Sequence, residues 1–172
     1  MSFFKKDKIA TNSLQISSND IKHGSVINKK FVFNDCGGEN ISPAIEWSSA
    51  PQETKSFALT VYDPDAPTGS GWWHWLLLNI PASQNKIEGG FGSKNSFRLE
   101  DDIIQIRNDY GIYGYGGPCP PKGDKAHRYV FTIHALAVEK IDLNEASTAA
   151  QAGFMINFNS IGKASFEAFY SN

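Results

Sequence analysis

The sequence predicts a mainly β fold with one late helix, and three observations carry that expectation. Strand-length runs with apolar residues on both faces recur at Ser56–Tyr62, Trp73–Ile80 and His127–Val138. Convincing helical spacing occurs in one place only, near residues 143–158. Between the strands lie Asp63–Gly71, Gly89–Asn95 and Tyr110–Lys125, rich in Gly, Pro, Asp or Tyr. Long ordered loops of that composition usually carry function.

In chain order, Lys30–Asn34 is short and aromatic and reads as a first strand. Ser56–Tyr62 alternates Phe57, Leu59 and Val61 against Ala58, Thr60 and Tyr62, and the next two strands share that character. Strands apolar on both faces must be covered twice, by a second sheet on one side and by helix or loops on the other. Asp142 followed by Glu145 resembles a capping box, after which Leu143, Ala146, Ala150, Phe154 and Phe158 recur at helical spacing. Beyond Gly162, the segment Lys163–Tyr170 places Ala164, Phe166, Ala168 and Tyr170 on one face, which suits a closing strand.

A chain of 172 residues fits one domain spanning 1–172, and such a chain buries roughly 70% of its unfolded surface. Its 16 basic residues nearly balance 18 acidic ones, for a net charge of -2 and a pI near 6.1. That balance gives no field for capturing nucleic acid or an anionic membrane, so a nucleic-acid partner is not expected. No apolar stretch follows Lys5, Lys6 and Lys8, as a secretory signal would require. The longest apolar run, Trp72 to Ile80, is broken by His74 and Asn79 and is too short to span a bilayer. The expectation is a soluble, cytoplasmic chain without transmembrane anchoring. Cys36 and Cys119 are 83 positions apart with no metal-ligand spacing around either, so a bridge between them depends on the fold bringing them together.

Several signatures of chemistry fail. There is no GxSxG, no GxxxxGK[ST] and no HExxH, and Gly111, Gly114, Gly116 and Gly117 lack dinucleotide spacing. Asp63, Asp65 and Gly69 mimic the start of a calcium loop, but Pro64 and Pro67 interrupt it and the glycine is one position late. No cofactor or metal is expected. What remains is geometric. Asp63 ends one strand and His74 begins the next, so antiparallel pairing puts both on one rim. His127 opens another strand, and Tyr129 points to the same face two residues later. If that strand also runs antiparallel to Ser56–Tyr62, a carboxylate, two imidazoles and a phenol converge on one mouth. Rigid Asp63–Pro67 and Gly116–Pro121 loops flank it, the glycines able to bring backbone N–H groups near a ligand. Such a mouth suits a small oxyanion such as phosphate. His134 lies mid-strand and reads as a satisfied core or surface residue, His23 as solvated, and Trp72, Trp73 and Trp75 as core or interface.

Asp63-Pro-Asp-Ala-Pro67, Gly71-Trp-Trp-His-Trp75 through Pro81, Tyr115-Gly-Gly-Pro-Cys-Pro-Pro121 and His127-Arg-Tyr129, with Asn40-Ile-Ser-Pro43 and Trp47 upstream, resemble the phosphatidylethanolamine-binding protein family. The pattern is most similar to its bacterial, Raf kinase inhibitor-like branch of the YbhB/YbcL type, over residues 10–170. The resemblance implies an antiparallel β-sandwich with a few short peripheral helices and a small anion pocket at one end. It implies binding of phosphate or phosphoethanolamine-type headgroups without catalysis. Carried onto this sequence, the pocket would be lined by Asp63, Ala66, Pro67, His74, Gly117, Cys119, Pro120, His127 and Tyr129. The chain stops soon after its last expected strand, so a C-terminal helix like that of animal members is not expected. A homodimer and a regulatory protein partner are further implications. The competing reading is a hydrolase or transferase using Asp63, His74 and His127 as acid–base groups.

Overall fold

The computed structural model describes residues 13–172, so Lys5, Lys6 and Lys8, expected to form a solvated terminus, lie outside the described residues. The elements are β1 (Gln15–Ser17), β2 (Ile45–Ser48), β3 (Ser56–Asp63), β4 (Trp72–Pro81), β5 (Lys86–Ile87), β6 (Ile104–Gln105), β7 (His127–Leu136), α1 (Ala149–Asn159) and β8 (Ser160–Tyr170). They form two antiparallel sheets, a small one in the order β1-β2-β5 and a large one in the order β6-β4-β3-β7-β8.

The two-faced apolar strands are covered twice, as their patterning requires. Phe57, Leu59 and Val61 of β3, Trp75 and Leu77 of β4, and Phe131 and Ile133 of β7 face the small sheet, meeting Ile45, Trp47 and Ile87. Phe131 stacks on Phe166 of β8 with ring centroids 4.8 Å apart. On the opposite face Ala58, Leu76, Leu78 and Leu136 pack against Ala149, Ala152 and Ile156 of α1. Hydrophobic burial on both faces of one central sheet therefore holds the layers together.

The structure corrects two expectations. Lys30–Asn34 is not a strand; two 3-10 turns, Lys29–Phe31 and Asn34–Cys36, occupy it. Asn28 caps the first through Lys30 N, and neighbouring Phe31 and Val32 are both buried, a pattern no one-sided strand can produce. The helix begins at Ala149, where Thr148 and Gln151 form the capping box. Upstream, the Asn144 and Ser147 side chains bind nearby backbone N–H groups and hold that stretch as a turn. The helix also buries the opposite face from the one expected, since Phe154 and Phe158 are 67% and 76% exposed. Its small residues let it lie close to β4, with a Cβ at Gly153 only 3.1 Å from the Trp73 ring. The three neighbouring tryptophans, read as core or interface, take different places. Trp75 is fully buried and bonded to Gln105, Trp73 packs under α1, and Trp72 turns toward the end of the sheet.

Cys36 and Cys119 form a disulfide across a sequence separation of 83. Disulfides are rare in the reducing cytosol, so the expected cytoplasmic setting and this cross-link pull in opposite directions. Among the described residues no helix is long and apolar enough to cross a membrane. A cross-link closing so long a loop mainly restricts the unfolded chain. Replacing both cysteines with serine is expected to cost about 2–5 kcal/mol. The loss should be read from urea unfolding as a lower midpoint, with a steeper slope because the unfolded chain without its cross-link exposes more surface.

Candidate functional site

At one end of the large sheet, the last residue of β3 and the first residues of β4 and β7 surround a cavity of about 370 Å³. β3 is antiparallel to both neighbours, with Asp63 paired to Trp72 and Tyr62 paired to Val130. The rim geometry expected from spacing therefore exists. A register break sharpens it. Tyr62 pairs with Trp73 and Val61 with Trp75, so β4 carries one extra residue there, His74. Such a bulge re-aims side chains: Trp73 packs toward α1 while Trp75 enters the core between the sheets. His74 turns inward beside Tyr129, the two rings 5.1 Å apart at centroid.

Asp63 is 3% exposed, and both of its carboxylate oxygens are engaged. Oδ2 accepts the Nδ1–H of His127 at 2.8 Å, and Oδ1 accepts the backbone N–H of Asp65 at 2.8 Å. Asp65 is clamped in turn by Arg128, whose Nε and Nη2 donate at 3.0 and 2.9 Å. The guanidinium bonds hold Asp65 below the usual carboxylate range. Burial disfavours a charged His127, but the Asp63 bond and the charges of Asp63 and Asp124 outweigh it, raising its pKa. His74 behaves oppositely. Burial dominates and lowers its pKa to about 4, despite its bond to the Gly116 carbonyl.

Because a carbonyl only accepts, the 2.7 Å contact of His74 Nδ1 with Gly116 O fixes the proton on Nδ1. The ring's other nitrogen, Nε2, has no partner. Neither do Tyr129 Oη and Trp72 Nε1, and all three side chains line the cavity. Buried polar atoms normally find partners, so three orphans around one cavity single it out as the candidate site.

The opposite wall comes from the loop before β7. Tyr110 stacks on Phe33 at 4.0 Å and donates its hydroxyl to Gly117 O at 3.0 Å. Burial, then the Asp63 charge, raises the pKa of Tyr110 and also that of Tyr129, so both stay phenols. The disulfide fixes Cys119 and leaves it no free thiol. Gly71, at φ +70°, lets the other loop close, since a Cβ there would lie 2.1 Å from Tyr62 Oη.

Of the residues expected from sequence, Asp63, Ala66, Pro67, His74, Cys119, Pro120, His127 and Tyr129 all line this cavity. Gly117 does not. A Cβ there would meet Phe31 O at 2.1 Å, so its bareness serves packing against the Phe31–Phe33 segment. Nor do the glycine N–H groups face a ligand, because Gly116 N binds His74 O and Gly117 N binds Asn40 Oδ1. Sequence reasoning missed Trp72, Tyr110, Thr68 and Pro121, which also line the cavity. Only their membership of the two rigid loops, or a place beside them, pointed that way. Elsewhere His134 is buried, with its Nδ1 unpartnered, and His23 is exposed and accepts the Glu167 N–H.

A family profile described as phosphatidylethanolamine-binding protein matches residues 17–171. The chain belongs to the phosphatidylethanolamine-binding protein family. It is 46% identical to Escherichia coli YbhB over 160 residues, covering 92% of this chain and 100% of that one. The crystal structure of Escherichia coli YbcL, described as a new member of the mammalian PEBP family, superposes with a TM-score of 0.89 at 46% identity, covering 93% of this chain and 99% of YbcL. A PEBP homologue from Chlamydia trachomatis, CT736, superposes at 0.77 with 31% identity, covering 94% and 99%. The phosphatidylethanolamine-binding protein fold thus extends across β1 to β8 of this chain.

The two site histidines should titrate apart. In histidine NMR titrations, His127 is expected to protonate above the ordinary value of about 6.5, and His74 near pH 4. The stability signs differ. The His127 contribution is full below pH about 6.5 and fades as pH rises through its raised folded pKa. The His74 contribution is full above about 6.5 and fades as pH falls toward 4, a loss on the order of 3 kcal/mol. His134, also lowered to about 4 by burial and then Lys163, adds to the acid-side loss.

Proposed function

We propose that this member of the phosphatidylethanolamine-binding protein family is a non-enzymatic, ligand-binding regulatory protein whose cavity takes phosphate or phosphoethanolamine-type headgroups. The observation that carries this reading is the set of three unpartnered polar atoms around one cavity, on His74, Tyr129 and Trp72. Burying a polar atom without a partner costs about 1–3 kcal/mol, and a small oxyanion with several oxygens can relieve more than one at once. The adjacent Asp63 carboxylate suits the ammonium end of such a headgroup. A regulatory role of the Raf kinase inhibitor-like kind, through a protein partner that presents or competes for a phosphate, is the broader form of this proposal.

The Asp63–His127 pair invites the acid–base alternative. Binding without turnover is favoured by how fully these groups are already engaged. Both Asp63 oxygens accept bonds inside the protein, His74 Nδ1–H is held by a carbonyl, and the sulfur of Cys119 is tied in a disulfide. Among the described residues no lining side chain is set up as an activated nucleophile next to a free base.

Phosphoethanolamine titrated into labelled protein should give saturable NMR shifts at Asp63, Trp72, His74, His127 and Tyr129, with phosphate and ethanolamine as separate controls. His74→Ala and His127→Ala should each weaken binding about tenfold or more, and the ester should be recovered intact. Absence of shifts at millimolar ligand would refute the headgroup reading. Release of phosphate would instead establish the acid–base one.

A further inference from the structure

Which small oxyanion fits is decided by the direction of one hydrogen bond. His74 keeps its single proton on Nδ1, where Gly116 O accepts it at 2.7 Å. The nitrogen at the cavity is therefore a lone pair, and it accepts rather than donates. The other two orphans are of the opposite kind, since Trp72 Nε1 is a donor only and the Tyr129 hydroxyl can donate. A ligand satisfying all three must present oxygens to two donors and a proton to one acceptor. A fully deprotonated oxyanion presents a lone pair to the His74 lone pair, and the contact is repulsive.

We propose that the cavity selects oxyanions carrying a proton, namely acid phosphate and phosphomonoesters, over anions of the same size and charge that carry none. This deepens the phosphate-binding reading above and rests on it. An ammonium ion could donate to Nε2 but would leave the two donors unpaired. Intact phospholipid is a phosphodiester with no acidic proton, so the same geometry turns the cavity away from whole lipids and toward free phosphate or a monoester headgroup.

The charges around His74 act in the same direction. From β3 it faces Asp63, and from β7 it faces His127 and Tyr129; the preceding loop contributes Tyr110. Asp63 is already paired with His127, and Asp65 with Arg128. A dianion would meet the Asp63 carboxylate with no unpaired cation among the described residues of the cavity wall, whereas a proton-bearing monoanion meets less repulsion. Burial keeps the ring neutral above pH about 4, so the lone pair persists through the range in which phosphomonoesters hold their proton.

Calorimetry with methyl phosphate and methyl sulfate at pH 5 tests the proposal. Both are monoanions of nearly equal shape there, and they differ by one proton. Methyl phosphate should bind about tenfold tighter or more. Equal affinities overturn the proposal while leaving the oxyanion site standing. Failure of both to bind, with phosphoethanolamine also silent, removes the site reading and this one together. In His74→Gln an amide N–H can donate toward the anion, so the ratio should fall toward one; an unchanged ratio also overturns it. A measurement on the unaltered protein guards against misfolding of that variant. The His74 imidazole ¹⁵N shifts of the free protein at pH 5 should show Nδ1 protonated and Nε2 bare, and the reverse tautomer contradicts the proposal.

Discussion

The hydrogen bond between His127 and Asp63 joins the first residue of β7 to the last residue of β3, and the mouth of the sheet is organised around it. A carboxylate buried this deeply is costly unless both oxygens have partners. Oδ2 has the imidazole and Oδ1 has the Asp65 N–H, so the bond that closes the strand ends also folds the Asp63–Pro67 loop back over them. Arg128, the next residue along β7, grips Asp65 through its guanidinium and its own N–H. Two successive residues of one strand thus hold two alternate residues of the opposing loop. The cavity wall contributed by Ala66 and Pro67 follows from that grip.

The facing wall is held by different chemistry. Gly116 and Gly117 let the loop approach the Tyr110 ring and the Phe31–Phe33 segment, distances that any side chain would prevent. The disulfide then ties Cys119 to the 3-10 turn ending at Cys36. One wall therefore depends on an ion pair and the other on a covalent bond and close packing. Acidity acts on the first and reducing conditions act on the second.

Much of this was legible in the sequence because it depends on local rules. Alternation in Ser56–Tyr62 and His127–Val138 identified the central strands, and antiparallel pairing then put Asp63, His74 and His127 at one end. What escaped depended on tertiary contacts. Phe31 and Val32 look like a strand by composition, but the Asn28 cap and the demand to bury both neighbours make them a turn. Phe154 and Phe158 carried the apparent apolar stripe of the helix, yet close approach to β4 favours the small face of Ala149, Ala152 and Gly153. No residue spacing announces the bulge at His74, which is a property of the strand pair. The Cys36–Cys119 bond is likewise an outcome of the fold. Trp72 read as core or interface because its indole N–H matters only once the neighbouring orphan atoms are known.

The charge pattern of the cavity explains why composition gave so little hint of the ligand proposed for it. A phosphate site built on lysines and arginines attracts anions at long range and leaves a trace in the net charge. No lysine or arginine is among the described residues lining this cavity. The nearest guanidinium, on Arg128, is committed to Asp65, and His127 is committed to Asp63. The lining polar atoms left without partners are an indole N–H, a phenol and a neutral imidazole. Such a cradle gains little from Coulomb attraction, so affinity and selectivity must come from short-range hydrogen bonds made in the right direction. On the proposed reading, the position of a single proton, on the ring or on the ligand, decides what binds more than the overall charge of either partner.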